Sequence, residues 1–215
     1  MKVETIIFDC DGVLIDSEII ANRTEVEIKN ELGFPITLEE QLKKFVGLGL
    51  NHPVMQAELK RLPPDYFEVL DRRVKVAYLK ELKAIAGVVD VLEKLTLPKC
   101  VASSSEPEWL TFKLKQTKLE HFFGDAVFSG RMVQNTKPAP DLFFLVLDRM
   151  AWKAATTLVI EDSIAGVQAA KAAGLTVWGF LGGAHIYSGH DKLLIDAGAD
   201  RTFSDFNEVL QFNLG

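Results

Sequence analysis

Two aspartates with one residue between them, Asp9 and Asp11, close a short apolar run, Ile6-Ile7-Phe8, and are followed by Gly12. Two more apolar runs end on polar residues. Val101-Ala102 leads into Ser103-Ser104-Ser105, and Leu158-Val159-Ile160 leads into Glu161-Asp162-Ser163. A fourth segment, after Phe128, supplies Lys137 in Thr136-Lys137-Pro138. One acid at a strand end is ordinarily a turn residue or a helix cap, and Asp162-Ser163 before the Ile164 helix fits capping well. Four carboxylates gathered at one edge do not fit that account, because they repel unless positive charge lies among them. A hard divalent cation such as Mg2+, held by one or two carboxylates, water and a phosphate oxygen, relieves the repulsion. Beside a lysine and a hydroxyl, such a cation neutralises a phosphoryl group in transfer.

Residue types then suggest roles. Asp9 is the candidate nucleophile, forming an aspartyl-phosphate that divides one displacement into two steps. Asp11, two residues on along an extended chain, can share its side. It is suited to protonate the leaving oxygen and then to deprotonate the attacking water. Gly12 permits the sharp turn that exposes both acids. Lys137 precedes a proline, which favours extended backbone and aims the side chain. Ser103 is the candidate hydroxyl donor to a phosphate oxygen. Cys10, between the two acids, turns to the opposite side and reads as a packed thiol. Trp109, Trp152 and Trp178 read as packing residues, and His185, after Gly182-Gly183, as lying away from the chemistry.

These residues need a scaffold that brings strand ends together. Apolar runs at 3–8, 100–102, 126–128, 157–160 and 176–180 predict buried strands, and helical patterns at 88–95, 107–118, 140–151 and 164–173 alternate with them. Alternation of this kind predicts βαβ units and a parallel sheet, whose ligand crevice lies outside the carboxyl ends of the strands. From about 18 to 84 the alternation stops and the pattern is helical, punctuated by Pro63-Pro64. The expected architecture is an α/β core of residues 1–17 and 85–215, with a helical cap domain at 18–84 inserted after the first strand.

Composition narrows the function classes. The chain has 215 residues, 48% apolar and 25% charged, so it can bury a sizeable core without disulfides. Its two cysteines have no metal-ligand spacing around them, which suits a reducing cytoplasm. No apolar run is long enough for a membrane span, and a net charge of −6 is a poor match to a nucleic-acid backbone. The expected partner is a small phosphorylated metabolite, with no nucleic acid polymer and no membrane, and the chain is expected to be a monomer or weak homo-oligomer. The charge is also uneven. Residues 1–40 carry a net of −7, residues 41–83 a net of +4, and residues 84–215 a net of −3.

The run Phe8-Asp9-Cys10-Asp11-Gly12-Val13-Leu14-Ile15-Asp16-Ser17-Glu18 resembles the first motif of the haloacid dehalogenase-like hydrolase superfamily, in the form shared by phosphatases and phosphomutases. Ser103 matches the second motif, Lys137 the third and Glu161-Asp162 the fourth. Residues 159–174 are similar to the β-phosphoglucomutase-like subfamily. The resemblance implies a Rossmann-like parallel core with a helical cap. It implies Mg2+ held by the Asp9 carboxylate, the Asp11 backbone carbonyl and Asp162, with Glu161 a ligand directly or through water. Lys137 and Ser103, with the adjacent Ser104, would hold the phosphate. Dehalogenase members lack the second acid, so Asp11 argues against dehalogenation.

The resemblance also places substrate choice in the cap. Mutases carry a cap histidine about a dozen residues past the nucleophile, where this chain reads Ile20-Ala21-Asn22-Arg23. They also carry an arginine after a Val-Gly-like turn, where this chain has Leu50 in Val46-Gly47-Leu48-Gly49-Leu50-Asn51. A hydrolase is therefore expected, with a phosphosugar mutase and a nucleoside monophosphate phosphatase as alternatives. Glu18 and Arg23 are the candidate leaving-group contacts nearest the catalytic loop. Lys43, Lys44, Arg72, Arg73 and Lys75 are cationic candidates against a solvated-face reading, and His52 reads as an exposed loop residue. A cationic cap suits an acidic sugar phosphate such as 6-phosphogluconate.

Overall fold

Strand β1 (Thr5–Phe8) is a continuous apolar run because both of its faces are covered. Side-chain alternation sends Ile6 and Phe8 into one hydrophobic cluster and Ile7 into another, and all three are fully buried. Burying a side chain of this size contributes roughly 1.5–3 kcal/mol relative to leaving it exposed. The computed structural model describes residues 2–46 and 53–214. The expectations at Gly47, Leu48, Gly49, Leu50, Asn51 and His52 lie outside the described residues.

Five further strands follow: β2 (Lys99–Ser103), β3 (Val127–Ser129), β4 (Thr157–Glu161), β5 (Thr176–Phe180) and β6 (Arg201–Phe203). All pair in parallel, in the order β3-β2-β1-β4-β5-β6. The first strand is thus central, between β2 and β4, and the strand order reverses there. That is where an open α/β sheet leaves its crevice.

Between β1 and β2 the chain forms α1 (Ser17–Glu31), α2 (Leu38–Phe45), α3 (Pro53–Leu59), α4 (Tyr66–Glu81) and α5 (Val88–Lys94). The two longest of these are tied by exposed ion pairs, Arg23 to Glu81 at 2.6 Å and Arg73 to Glu31 at 2.6 Å. The chain leaves the sheet and returns to it at one place. Ile15 bridges Ala84 in antiparallel fashion, Asp16 N–H donates to the Lys83 carbonyl, and Ile85 N–H donates to the Leu14 carbonyl.

The later crossovers are α6 (Pro107–Gln116), α7 (Asp141–Met150), α8 (Ile164–Ala172) and α9 (His190–Asp196). Pro107 opens α6, where a missing N–H costs nothing. Ser163 caps α8 by accepting from the Gly166 N–H at 3.0 Å. The five expected strands are present with ends shifted by at most two residues. Among the strands and α-helices of the described residues, two were not anticipated. Strand β6 is three residues long at the sheet edge, and α9 is seven residues long, starting after Gly189 in a left-handed conformation. Both are too short for a periodic pattern to accumulate.

Candidate active site

The carboxyl ends of β1, β2 and β4 meet around one lysine. Lys137 Nζ donates to Asp9 Oδ1 at 2.7 Å, to Glu161 Oε1 at 2.7 Å and to the Ala102 carbonyl at 2.8 Å. Lys137, Asp9 and Glu161 are all buried. Burial works against the ammonium, yet attraction from Asp9 and Glu161 holds the Lys137 pKa above its ordinary value. Burial pushes the Asp9 carboxyl well up; Lys137 opposes this, while Glu161, Asp162 and Asp11 add repulsion. Lys137 alone does not balance Asp9, Glu161 and Asp162.

Glu161, expected to ligate metal directly or through water, is held by protein donors in this structure. Its Oε2 accepts from the Asp162 N–H at 3.0 Å, and from the Ser163 N–H and hydroxyl at 2.9 Å each. With Oε1 on Lys137, both oxygens are engaged by protein donors. Glu161 aims Lys137 and ties it to the start of α8. Gly166 makes this possible, because a Cβ there would collide with the Glu161 carboxylate.

Asp162 faces the same edge, buried. A Cβ on Gly12, whose φ is +77°, would run into the Asp162 carboxylate. His185 was expected to lie elsewhere. Its Nε2 stands 2.9 Å from Asp162 Oδ2, and its ring backs onto Gly12. Burial disfavours the charged imidazole, but Asp162 outweighs it and raises the His185 pKa. The His190 ring adds a contact to the Asp162 carbonyl at 2.7 Å.

Asp11 has its own cation, and it is one that the motifs do not contain. Lys113 of α6 pairs with Asp11 Oδ1 and donates to the Ser105 hydroxyl at 2.8 Å. The Ser17 hydroxyl also donates to Oδ1, and Ser105 Oγ donates to Oδ2 at 2.7 Å. Ser103 Oγ is more distant, 3.4 Å from Oδ2. Burial alone would raise the Asp11 pKa, but the Lys113 ammonium and these hydroxyls bring it below the ordinary value. The sequence signal for Lys113 is its place on α6, on the buried face with Leu110 and Leu114. A lysine where the helical period calls for an apolar residue marks a buried charge with a partner.

The other expectations divide. Ser103 is buried at the end of β2, accepting from the Ser105 N–H at 3.1 Å. Ser104 is exposed, and it is the Ser105 hydroxyl that reaches Asp11. Arg23 is turned to Glu81 in an exposed pair, and no contact joins it to the acid cluster among the described residues. Lys43 pairs with Glu39 at 2.6 Å, Lys44 with Glu58 at 3.8 Å, and Lys75 lies over the Phe112 ring. These are the solvated-face arrangements weighed above. Glu18 does border the site. Burial, chiefly, and the charge of Asp11 push its carboxyl up to about 7. Its backbone carbonyl accepts from Asn22 at 2.9 Å, and Asn22 continues through Gln41 to the buried Lys29 at 3.3 and 3.0 Å.

Among the described residues no three His, Cys, Asp or Glu side chains form a metal cage. Mg2+ does not need one, since it keeps several waters and takes one or two carboxylates with a phosphate oxygen. Asp9 and Asp162, with the Asp11 carbonyl, are hard oxygen donors at an edge short of positive charge, and they fit that ion.

Known proteins resemble this chain in sequence and in fold. The family model described as haloacid dehalogenase-like hydrolase matches residues 6–180. A 6-phosphogluconate phosphatase of Escherichia coli is 31% identical over 188 residues, 86% of this chain and 85% of that protein. A phosphorylated carbohydrates phosphatase of Thermotoga maritima is 32% identical over 206 residues, 92% of each chain. A crystal structure from Deinococcus radiodurans, of a hydrolase with bound phosphate and sodium, superposes with a TM-score of 0.84 at 29% identity, covering 99% of this chain and 97% of that one.

Proposed function

The chain belongs to the haloacid dehalogenase-like hydrolase family, and on that footing we propose that it is a Mg2+-dependent phosphatase of a small phosphorylated sugar or sugar acid, working through an aspartyl-phosphate. The observation that carries the reading is the buried Lys137, 2.7 Å from Asp9, beside Asp162 at the switch point of the sheet. The sugar class is supported by the names of the two relatives above, and the phosphate by the ion in the neighbouring structure.

Asp9, Asp162 and the Asp11 carbonyl would hold Mg2+, which would supply charge neutralisation for the phosphoryl oxygens. Asp9 forms the bond to phosphorus while the bond to the leaving oxygen breaks, and that oxygen takes from Asp11 a proton that Asp11 picks up as the phosphate anion binds beside it and raises its pKa. Water then attacks phosphorus, Asp11 takes its proton, and the Asp9 carboxylate leaves. Lys137 and Ser103 balance and orient the phosphoryl oxygens. Glu161 keeps Lys137 in place. The helical segment 18–84 is the proposed cap, with Glu18 at its entrance facing the leaving group.

A phosphate-release screen with and without Mg2+ tests this reading across hexose phosphates, sugar-acid phosphates and nucleoside monophosphates. We expect Mg2+-dependent release, fastest from a sugar or sugar-acid phosphate, and its abolition in Asp9→Asn. Turnover surviving in Asp9→Asn checked for deamidation would refute the nucleophile. A preference for nucleotides would refute the substrate class.

A further inference from the structure

We propose that Lys113 is a positioning residue for Asp11, which makes the two aspartates of the catalytic loop separately supported; this rests on the phosphatase reading above. Each aspartate has its own buried lysine. Lys137 serves Asp9 and Glu161, whereas Lys113 serves Asp11. Lys113 comes from α6 rather than from a strand end, and its ammonium lies under Asp11, joined to it directly and through the Ser105 hydroxyl. The loop that presents Ser105 is itself fixed, since the Ser129 hydroxyl donates to the Ser105 carbonyl at 2.6 Å.

The arrangement suits a carboxylate that alternates between two half-reactions. Lys113 and the Ser17 hydroxyl on Oδ1, with the Ser105 hydroxyl on Oδ2, fix the direction in which the Asp11 carboxyl faces the site. An acid/base group needs that one orientation twice, beside the leaving oxygen and then beside the attacking water. Without Lys113, the carboxyl would have hydroxyls alone as neighbours and could turn toward Lys137 and compete with Asp9. Keeping the acid/base away from the nucleophile's counter-ion is the specific service of the second lysine.

The leaving group separates this role from a purely structural one. A p-nitrophenolate departs without a proton, whereas a sugar alkoxide needs one. Lys113→Met should lower kcat/KM on an alkyl ester such as a hexose phosphate by about 10- to 100-fold. On p-nitrophenyl phosphate kcat/KM should stay within about threefold, and a burst of nitrophenolate should precede a slower steady state, because the second half-reaction still needs Asp11 as base. Lys113→Arg should recover part of the alkyl-ester rate. If Lys113→Met does not fold, Ser105→Ala is read in the same way, with a smaller loss of the same selectivity. Equal losses on both esters, or no loss on either, would overturn the positioning role and leave the phosphatase reading standing. Release of phosphate from neither ester by the unaltered enzyme would overturn both.

Discussion

Gly12 lies directly against the carboxylate of Asp162, with its backbone at φ +77°. One residue thus turns the chain after the two catalytic-loop aspartates and leaves room for the acid at the end of β4. Gly12→Ala should fail on both counts. The left-handed backbone alone costs about 1–2 kcal/mol, and the added methyl must displace Asp162. We expect a lower Tm and a rise in the Mg2+ concentration needed for half-maximal activity. A variant with altered Tm but unchanged metal dependence would show that Asp162 has not moved.

Lys137→Met removes the ammonium shared by Asp9 and Glu161, leaving two buried carboxylates without it. Breaking a buried ion pair by deleting one partner costs about 3–5 kcal/mol. Denaturant unfolding should register a loss of this order, and phosphate release should disappear. Retained stability with lost activity would mean that another cation has entered the gap.

Glu18 gives the pH dependence. Its carboxyl titrates near 4.5 when unfolded and is pushed up to about 7 in the fold. A raised pKa means that its contribution to stability is fully present below 4.5 and is lost as pH rises through 7. In metal-free protein, Glu18→Gln should therefore match the parent near pH 4.5 and be the more stable at pH 8. After allowance for partial exposure the gap is on the order of 1 kcal/mol, about 2–4 °C in Tm. Thermal melts at the two pH values decide the matter, and an identical gap at both would contradict it.

Arg23→Ala should do little. The guanidinium is engaged with Glu81 on an exposed face, and such pairs contribute about 0–1 kcal/mol. We expect KM for the preferred sugar phosphate to change by less than about threefold, and a tenfold rise would place Arg23 at the substrate after all.

The parts of the site that were legible in the sequence are those that follow a buried strand. Asp9, Ser103 and Glu161 each end an apolar run, and the sheet supplies their convergence. Lys137 is 128 positions from Asp9, yet its place before Pro138 after an apolar segment marked it. Lys113 is 102 positions from Asp11 and lies in the middle of a helix, where nothing local distinguishes it from its neighbour Lys115 except the phase of the helix. His185 sits in a loop whose path depends on β5, α9 and the turn at Gly183. Arg23 illustrates the converse, since it pairs with Glu81 away from the acid cluster. Nearness in sequence to the catalytic loop does not set which way a helix turns its side chains, and Glu81, 58 positions away, decided it.

The bridge between Ile15 and Ala84 gives the helical segment a narrow neck, since the chain enters and leaves it at adjoining points. Closing a loop whose ends already touch costs little more for a long insert than for a short one. The registers of β1 with β2 and β4 therefore do not depend on how many helices hang from that neck. A different set of helices joined at Ile15 and Ala84 would have to replace the packing of Ile20, Val74, Tyr78 and Leu82 in the cluster shared with Ile6 and Phe8, and the Ser17 hydroxyl on Asp11.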